Sequence, residues 1–314
     1  MALVSPSVKA TTQAQVHASL TKRDRQVGAI VLSALLLLSV IITLLVLVTL
    51  LVRLIVPAVP VYADRGIAFL TDTIGSNPDE VGIWPGLYGS FFIGLGVVLI
   101  AIPLGIAAAI YLEEYASDRW YHRLVVVNIR NLAGVPAVLY GILGLTIFVQ
   151  WLDPVTSGKT VIAAALTLAV LVLPIVIITA SEAIRAVPVS LRDAGYGVGA
   201  SRWEVMRDHV LPYAAPGILT GTVLSLARAL GEAAPLILIG AITGLLPATS
   251  LDGSFTALPM VIYSWSAKAD PAGSSLTFDE VAAAAGVALL LLVLAFNIVA
   301  VVLRGRFEKR RSGS

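Results

Sequence analysis

Arg228 and Glu232 stand four residues apart in a stretch, Pro216 to Leu238, whose other members are apolar, small or hydroxyl-bearing. Arg228 lies twelve residues past Pro216. At about 1.5 Å of helical rise per residue this is roughly 18 Å, near the midplane of a bilayer if the stretch crosses one. A cation at that depth costs at least about 2.5–3.5 kcal/mol. Glu232 at i+4 falls on the same helical face, so a structural ion pair is one reading. Such pairs add little net stability once desolvation is counted, which favours a second reading, electrostatic work on a passing solute. In that reading Arg228 attracts a tetrahedral anion, Glu232 holds the guanidinium and accepts a hydrogen bond from the anion, and Thr222 and Ser225 add hydroxyl donors. Pro235 clashes with the carbonyl of Gly231, so the helix is expected to break just after the pair, and broken helices near the midplane mark transport sites. Arg130 is expected a turn or two inside another apolar stretch, where it either snorkels to the interface or forms a second anion contact.

No other chemistry is on offer. The chain has no cysteine and three scattered histidines, His17, His122 and His209, so disulfides, iron–sulfur clusters and a ligand set with metal spacing are excluded. There is no Gly-x-x-x-x-Gly-Lys-Ser/Thr phosphate loop. Nor is there a nucleophile with a paired acid and base, so the chain is not expected to be an enzyme or to hold a cofactor.

The elements that position these residues are apolar helices. Of the 314 residues 58% are hydrophobic and 13% charged, against roughly a quarter charged in soluble domains. Runs long enough to span a bilayer, about 20 residues each, occur near 27–56, 87–112, 125–151, 160–184, 214–244 and 281–303. The class is an all-α membrane protein of six transmembrane helices: a polar tail 1–26 expected to be disordered, a membrane domain 27–303, and a basic tail 304–314. Lysine and arginine gather beside alternate ends of the spans, as in Lys22, Arg23 and Arg25, Arg119 and Arg123, Arg185 to Arg207, and Arg304 to Arg311. The opposite loops carry acids such as Asp64, Asp79, Asp252 and Asp270. The positive-inside rule then places both termini in the cytoplasm. The run Leu258–Trp265 is too short to cross and is expected to lie at the outer interface or dip in part-way, with Tyr263 and Trp265 at headgroup level.

Between the fourth and fifth spans, residues 188–212 are more organised than a linker. Gly199 is placed to stop one helix, and Ser201 with Glu204 is a capping box that starts another. On this second helix Trp203, Met206 and Val210 share a face at i, i+3 and i+7, a pattern suited to a partner's groove or to the lipid surface. The residues Asp193-Ala194-Gly195, then Gly199, then His209, Leu211 and Pro212 resemble the EAA loop of ATP-binding-cassette import permeases at every spacing. Asp193 and Gly195 depart conservatively from that pattern, and His209 replaces an aliphatic residue. The resemblance implies that this loop sits in a cleft of a separate ATPase subunit and couples its motion to the spans.

A narrower resemblance covers most of the chain from about residue 85. Ala227-Arg-Ala-Leu-Gly-Glu-Ala-Ala-Pro-Leu236 resembles a signature of the PstA-type permeases of phosphate-specific transport, with Ala233 in place of threonine. Leu132–Gly141, Ile184–Pro188 and Leu258–Tyr263 are similar too. The resemblance implies a type I ABC importer permease fold and a phosphate importer working by alternating access. Implied partners are a second, PstC-type permease, a PstB-type ATPase dimer that uses ATP and magnesium, and a PstS-type extracytoplasmic binding protein. Membrane lipid surrounds the chain, and no nucleic acid is expected. Glu232 fits phosphate, which keeps a proton near neutral pH for a carboxylate to accept, whereas sulfate does not. Another oxyanion, or a channel that works without ATP, remains the alternative.

Overall fold

The structure is a computed structural model describing residues 27–117, 119–241 and 250–312. Among these there is no strand. The tail expected to be disordered, 1–26, and the end of the expected fifth span, 242–244, lie outside the described residues. The helices are α1 (Val27–Arg65), α2 (Ala68–Thr71), α3 (Trp84–Ile110), α4 (Trp120–Ala133), α5 (Ala137–Gly144), α6 (Asp153–Thr156), α7 (Val161–Arg185), α8 (Val189–Gly197), α9 (Arg202–Val205), α10 (Leu211–Gly231), α11 (Ala234–Ile239), α12 (Leu258–Trp265) and α13 (Phe278–Ser312). Wider π-helical turns extend α3 through Tyr111–Tyr115, α5 through Leu145–Trp151 and α9 through Met206–Val210.

Among the described residues five helical runs are long and apolar enough to cross a membrane: Gly28–Arg65, Trp84–Tyr115, Val161–Arg185, Arg202–Gly231 and Phe278–Val302. The third expected span, 125–151, is not one rod. Its halves α4 and α5 meet at 100°, giving six crossings if the bent pair counts as one. The bend follows from Val135-Pro136: the residue before proline is pushed out of the helical region, and proline has no N–H to continue the ladder. Tyr140 donates its hydroxyl across the bend to the carbonyl of Leu132 at 2.8 Å, satisfying an oxygen the helix end would leave bare. The last apolar run ends at Val302, and the helix α13 continues through the basic residues after it to Ser312.

The chain divides into two units, one ending at Arg53 and one starting at Leu54. In the first, leucines point outward all round the helix, as for Leu37 and Leu45, which suits a helix bathed in lipid. The second is organised around α7. Small residues let its neighbours approach: a Cβ on Gly96 of α3 would come within 2.7 Å of Ala165, and one on Gly217 of α10 within 2.8 Å of Ala183. Gly94 likewise seats Leu230 and Phe296. Thr160 caps the start of α7 by accepting from the Ala163 N–H.

At one end of the bundle, Ala58, Val61, Phe69, Leu258, Trp265 and Val281 form an apolar cluster. Trp265 is 1% exposed, so it packs in the core and does not face outward as a headgroup contact would; Tyr263 on the other face of α12 is exposed. Asp79 ties two loops there, accepting from the N–H groups of Ser275 and Leu276 and the Ser275 hydroxyl at 2.8–3.1 Å. At the opposite end, Ala109, Ile184, Val187, Val205, Met206, Val210 and Ile218 close the core beneath α8 and α9.

Candidate functional site

The last turn of α10 presents Arg228. Its side chain is 45% exposed, and its Nε lies 3.6 Å from the Glu232 carboxylate, too far for a hydrogen bond. Among the described residues no acceptor takes up its N–H donors. Gly217, Thr220, Leu224, Arg228 and Gly231 are all exposed, one continuous stripe along α10 at helical spacing. The bundle therefore leaves the arginine's face of the helix uncovered.

The helix breaks near the pair, but one step earlier than expected. α10 ends at Gly231, and Glu232 already has extended backbone at φ −85° and ψ 112°. Pro235 sits in the first turn of α11, where its missing N–H costs nothing. Continuing the helix would require a Pro235 N–H donating to the carbonyl of Gly231, so the chain opens at Glu232 and Ala233, at the second charge of the pair. Glu232 consequently reaches Arg228 from a non-helical segment and not from the next turn of one helix.

The two broken spans meet here. A Cβ on Gly141 of α5 would lie 2.8 Å from the Cα of Pro235, so the post-break helices α5 and α11 touch backbone to backbone. Thr222 and Ser225 are buried, and both hydroxyls donate to their own helix, to Ile218 O at 3.0 Å and Gly221 O at 2.8 Å. Their protons are engaged in this conformation, leaving the guanidinium as the donor facing outward. Arg130 is not brought to Arg228. It ends α4 and lines a narrow cavity with Glu113, Ser181, Glu182 and Arg185.

The loop between α7 and α10 is built as its spacing suggests. Pro188 opens α8, and Gly199 takes φ +84°, a left-handed conformation open to glycine. Ser201 then starts α9 with a reciprocal capping box, its N–H donating to Glu204 Oε2 at 2.7 Å and its hydroxyl accepting the Glu204 N–H at 3.4 Å. One expectation fails. Met206 and Val210 face the core, while Trp203 is 56% exposed on the opposite side. The outward surface is Asp193, Ala194, Tyr196, Val198, Trp203 and Glu204, a mixed apolar and charged ridge.

The departures from the EAA pattern meet in space. Gly195 is buried, and a Cβ there would lie 2.8 Å from a Val205 methyl and 3.4 Å from the His209 ring. The glycine on α8 thus makes room for the Val205 methyl, with the His209 ring beside it at ordinary contact distance. His209 remains exposed, Leu211 half-buried, and Pro212 occupies the first turn of α10. Sequence reasoning missed Glu113 and Glu114, which end the α3 run and pair with Arg185 and Arg192 across 72 and 78 residues of chain.

A protein family described as binding-protein-dependent transport system inner membrane component matches residues 101–313. A phosphate transport system permease protein PstA from Mycobacterium leprae (strain TN) is 33% identical over 241 residues, 76% of each chain. A PstA from Haemophilus influenzae (strain ATCC 51907 / DSM 11121 / KW20 / Rd) is 31% identical over 246 residues, 78% of this chain and 82% of that one. In fold the chain is like a solved bacterial alginate ABC transporter. That match has a TM-score of 0.62 at 16% identity and covers 86% of this chain and 92% of the other.

Proposed function

Because the chain belongs to the family of binding-protein-dependent transport system inner membrane components, we propose that it is the permease subunit of an ATP-driven importer of inorganic phosphate. The observation that carries the substrate is Arg228. It is a half-exposed guanidinium with unfilled donors at the break of a membrane helix, with one carboxylate 3.6 Å away. An oxyanion fills those donors, since the fork of a guanidinium matches its oxygens. Glu232 sets the preference, accepting the proton that phosphate retains and repelling a fully ionised sulfate. The names of the PstA relatives agree with this choice.

The chain has no phosphate-binding loop of its own, so ATP hydrolysis falls to a separate ATPase dimer docked on the ridge of α8 and α9. The exposed stripe of α10 faces a homologous second permease, and the anion path runs between the two. A binding protein delivers phosphate at the opposite end. Arginine and lysine placement orients the coupling loop and both termini toward the cytoplasm.

The test is ATP-dependent uptake of labelled phosphate by the reconstituted complex, with unlabelled sulfate, molybdate and phosphate as competitors. The proposal expects phosphate alone to compete at comparable concentration. Equal competition by sulfate refutes the substrate. Gradient-driven uptake by this chain without an ATPase refutes the importer.

A further inference from the structure

We infer that Arg192 and Glu114 are positioning residues for transport, a charged tie that makes the coupling loop and the span α3 move as one body. The inference rests on the importer reading and goes beyond it.

Arg192 stands on α8, yet its guanidinium serves three elements at once. It donates to Glu114 Oε1 at 2.9 and 3.1 Å, to Ile184 O at 2.9 Å and to Val187 O at 2.7 Å. The two carbonyls belong to the end of α7 and the turn after it; Ile184 O also accepts the Val187 N–H at 3.2 Å, so the guanidinium adds a second bond at the helix terminus. The carboxylate belongs to the π-helical turn that ends α3. Both side chains are largely buried, 17% exposed for Arg192 and 9% for Glu114. Beside them Arg185 holds Glu113 in a two-point pair at 2.7 and 3.2 Å. Consecutive residues on a helix point about 100° apart, so two neighbouring carboxylates can both be met here only because Arg185 and Arg192 approach from different elements.

The loop then reaches Arg228 by two routes. One is direct, along the run Arg202–Gly231. The other crosses from Arg192 to Glu114 and follows α3 to Gly94, where Leu230 packs two residues past Arg228. With the tie intact, displacement of the loop moves α10, which carries Arg228, together with α3, which packs against its buried face at Leu230. With the tie cut, the direct route moves and α3 lags. A neutral side chain at 114 leaves Arg192 buried without its counter-ion, which weakens the connection further.

The chain has no cysteine, so a reversible covalent tie can replace the charged one. In the complete reconstituted transporter, ATP hydrolysis and phosphate uptake are measured on the same sample for Glu114→Gln, Glu114→Asp, and the double variant Glu114→Cys with Arg192→Cys. The double variant is read unbridged and bridged by a short reducible bis-thiosulfonate linker. Phosphate moved per ATP should fall about tenfold in Glu114→Gln and in the unbridged pair, the scale of typical coupling energies between sites. It should stay near wild type in Glu114→Asp, return on bridging, and fall again on reduction. A purely structural staple would lower ATPase and uptake together and leave their ratio unchanged; that result, or bridging that fails to restore the ratio, overturns the inference. Failure of the importer reading is distinct, because the unsubstituted complex would then move no phosphate.

Discussion

Replacing Arg228 with alanine should leave the fold standing and slow transport severely. The structural side of the estimate comes from the pair itself. At 3.6 Å, with 45% of the arginine and 26% of the glutamate side chain exposed, it is a loose ion pair without a hydrogen bond. Pairs of that kind contribute about 0–1 kcal/mol. For a chain of this size 1 kcal/mol corresponds to a shift of roughly 2–4 °C in melting temperature. The functional side is larger, since one charge-assisted hydrogen bond to the anion contributes about 1.5–3 kcal/mol. At 1.4 kcal/mol per tenfold, uptake at limiting phosphate should drop about 10- to 150-fold. Arg228→Lys keeps the charge but not the planar fork and should fall in between. Glu232→Gln should melt within a few degrees of wild type and lose much of its preference for phosphate over sulfate. The assay pairs thermal unfolding of the purified chain with initial rates of labelled phosphate uptake in cells lacking other phosphate importers. Wild-type uptake in Arg228→Ala refutes the site. A melting temperature lowered by more than about 10 °C refutes the premise that the pair is loose.

Three further outcomes test the packing around these sites. Gly141→Ala puts a methyl 2.8 Å from the Pro235 Cα and 2.9 Å from Leu238 Cδ1, and should cost about 1–3 kcal/mol in thermal unfolding; adding Leu238→Ala should recover only part, because the Pro235 backbone stays in place. Gly195→Ala should cost a similar amount through its 2.8 Å approach to the Val205 methyl, and here Val205→Ala should recover most of that loss in a double-mutant cycle, the obstacle being a side chain. Hydrogen bonds from Ser275 and Leu276 hold the Asp79 carboxyl below the usual carboxylate range. Its stabilisation of the two loops is therefore complete above about pH 4, the unfolded carboxylate value, and is lost only as pH falls through the lower folded value. Asp79→Asn should speed hydrogen exchange at the Ser275 and Leu276 amides at pH 7, and the difference from wild type should close only in stronger acid.

Most of the fold was legible because a bilayer enforces it. A run such as Val27–Val52 has no charge and no alternative to a helix, since no other backbone satisfies its own polar groups in lipid. Local chemistry was legible too: the Ser201–Glu204 box and the left-handed Gly199 involve residues within a few positions of each other. The bend at Gly134–Pro136 was written in the sequence as well, in the proline that follows Val135, but the apolar run through it reads as one span by composition. Trp265 went astray for a related reason. A tryptophan at the end of an apolar run too short to span suggests the headgroup belt, and only the packing of Leu258, Phe69 and Val281 shows that a core exists there to receive it.

The candidate site divides along the same line, between residue type and side-chain direction. Thr222 and Ser225 stand at the right spacing to offer hydroxyls beside Arg228, yet a hydroxyl in a buried helix face has a nearer acceptor, the carbonyl one turn back, and both take it. Arg228 cannot do the same. Its stem carries the guanidinium beyond the reach of its own helix, and the break at Glu232 removes the next turn that might have covered it. Glu113 and Glu114 escaped notice because nothing local marks them: they are two acids at the end of an apolar run, and their partners lie 72 and 78 residues away on elements that only tertiary packing brings near. Their burial gives them weight. An exposed pair at that position would be a solvated ornament, whereas Glu114, 9% exposed against Arg192, cannot separate from its partner without leaving a charge in the core. The loop and α3 are thus bound by a contact that resists partial opening, as a joint that transmits force must.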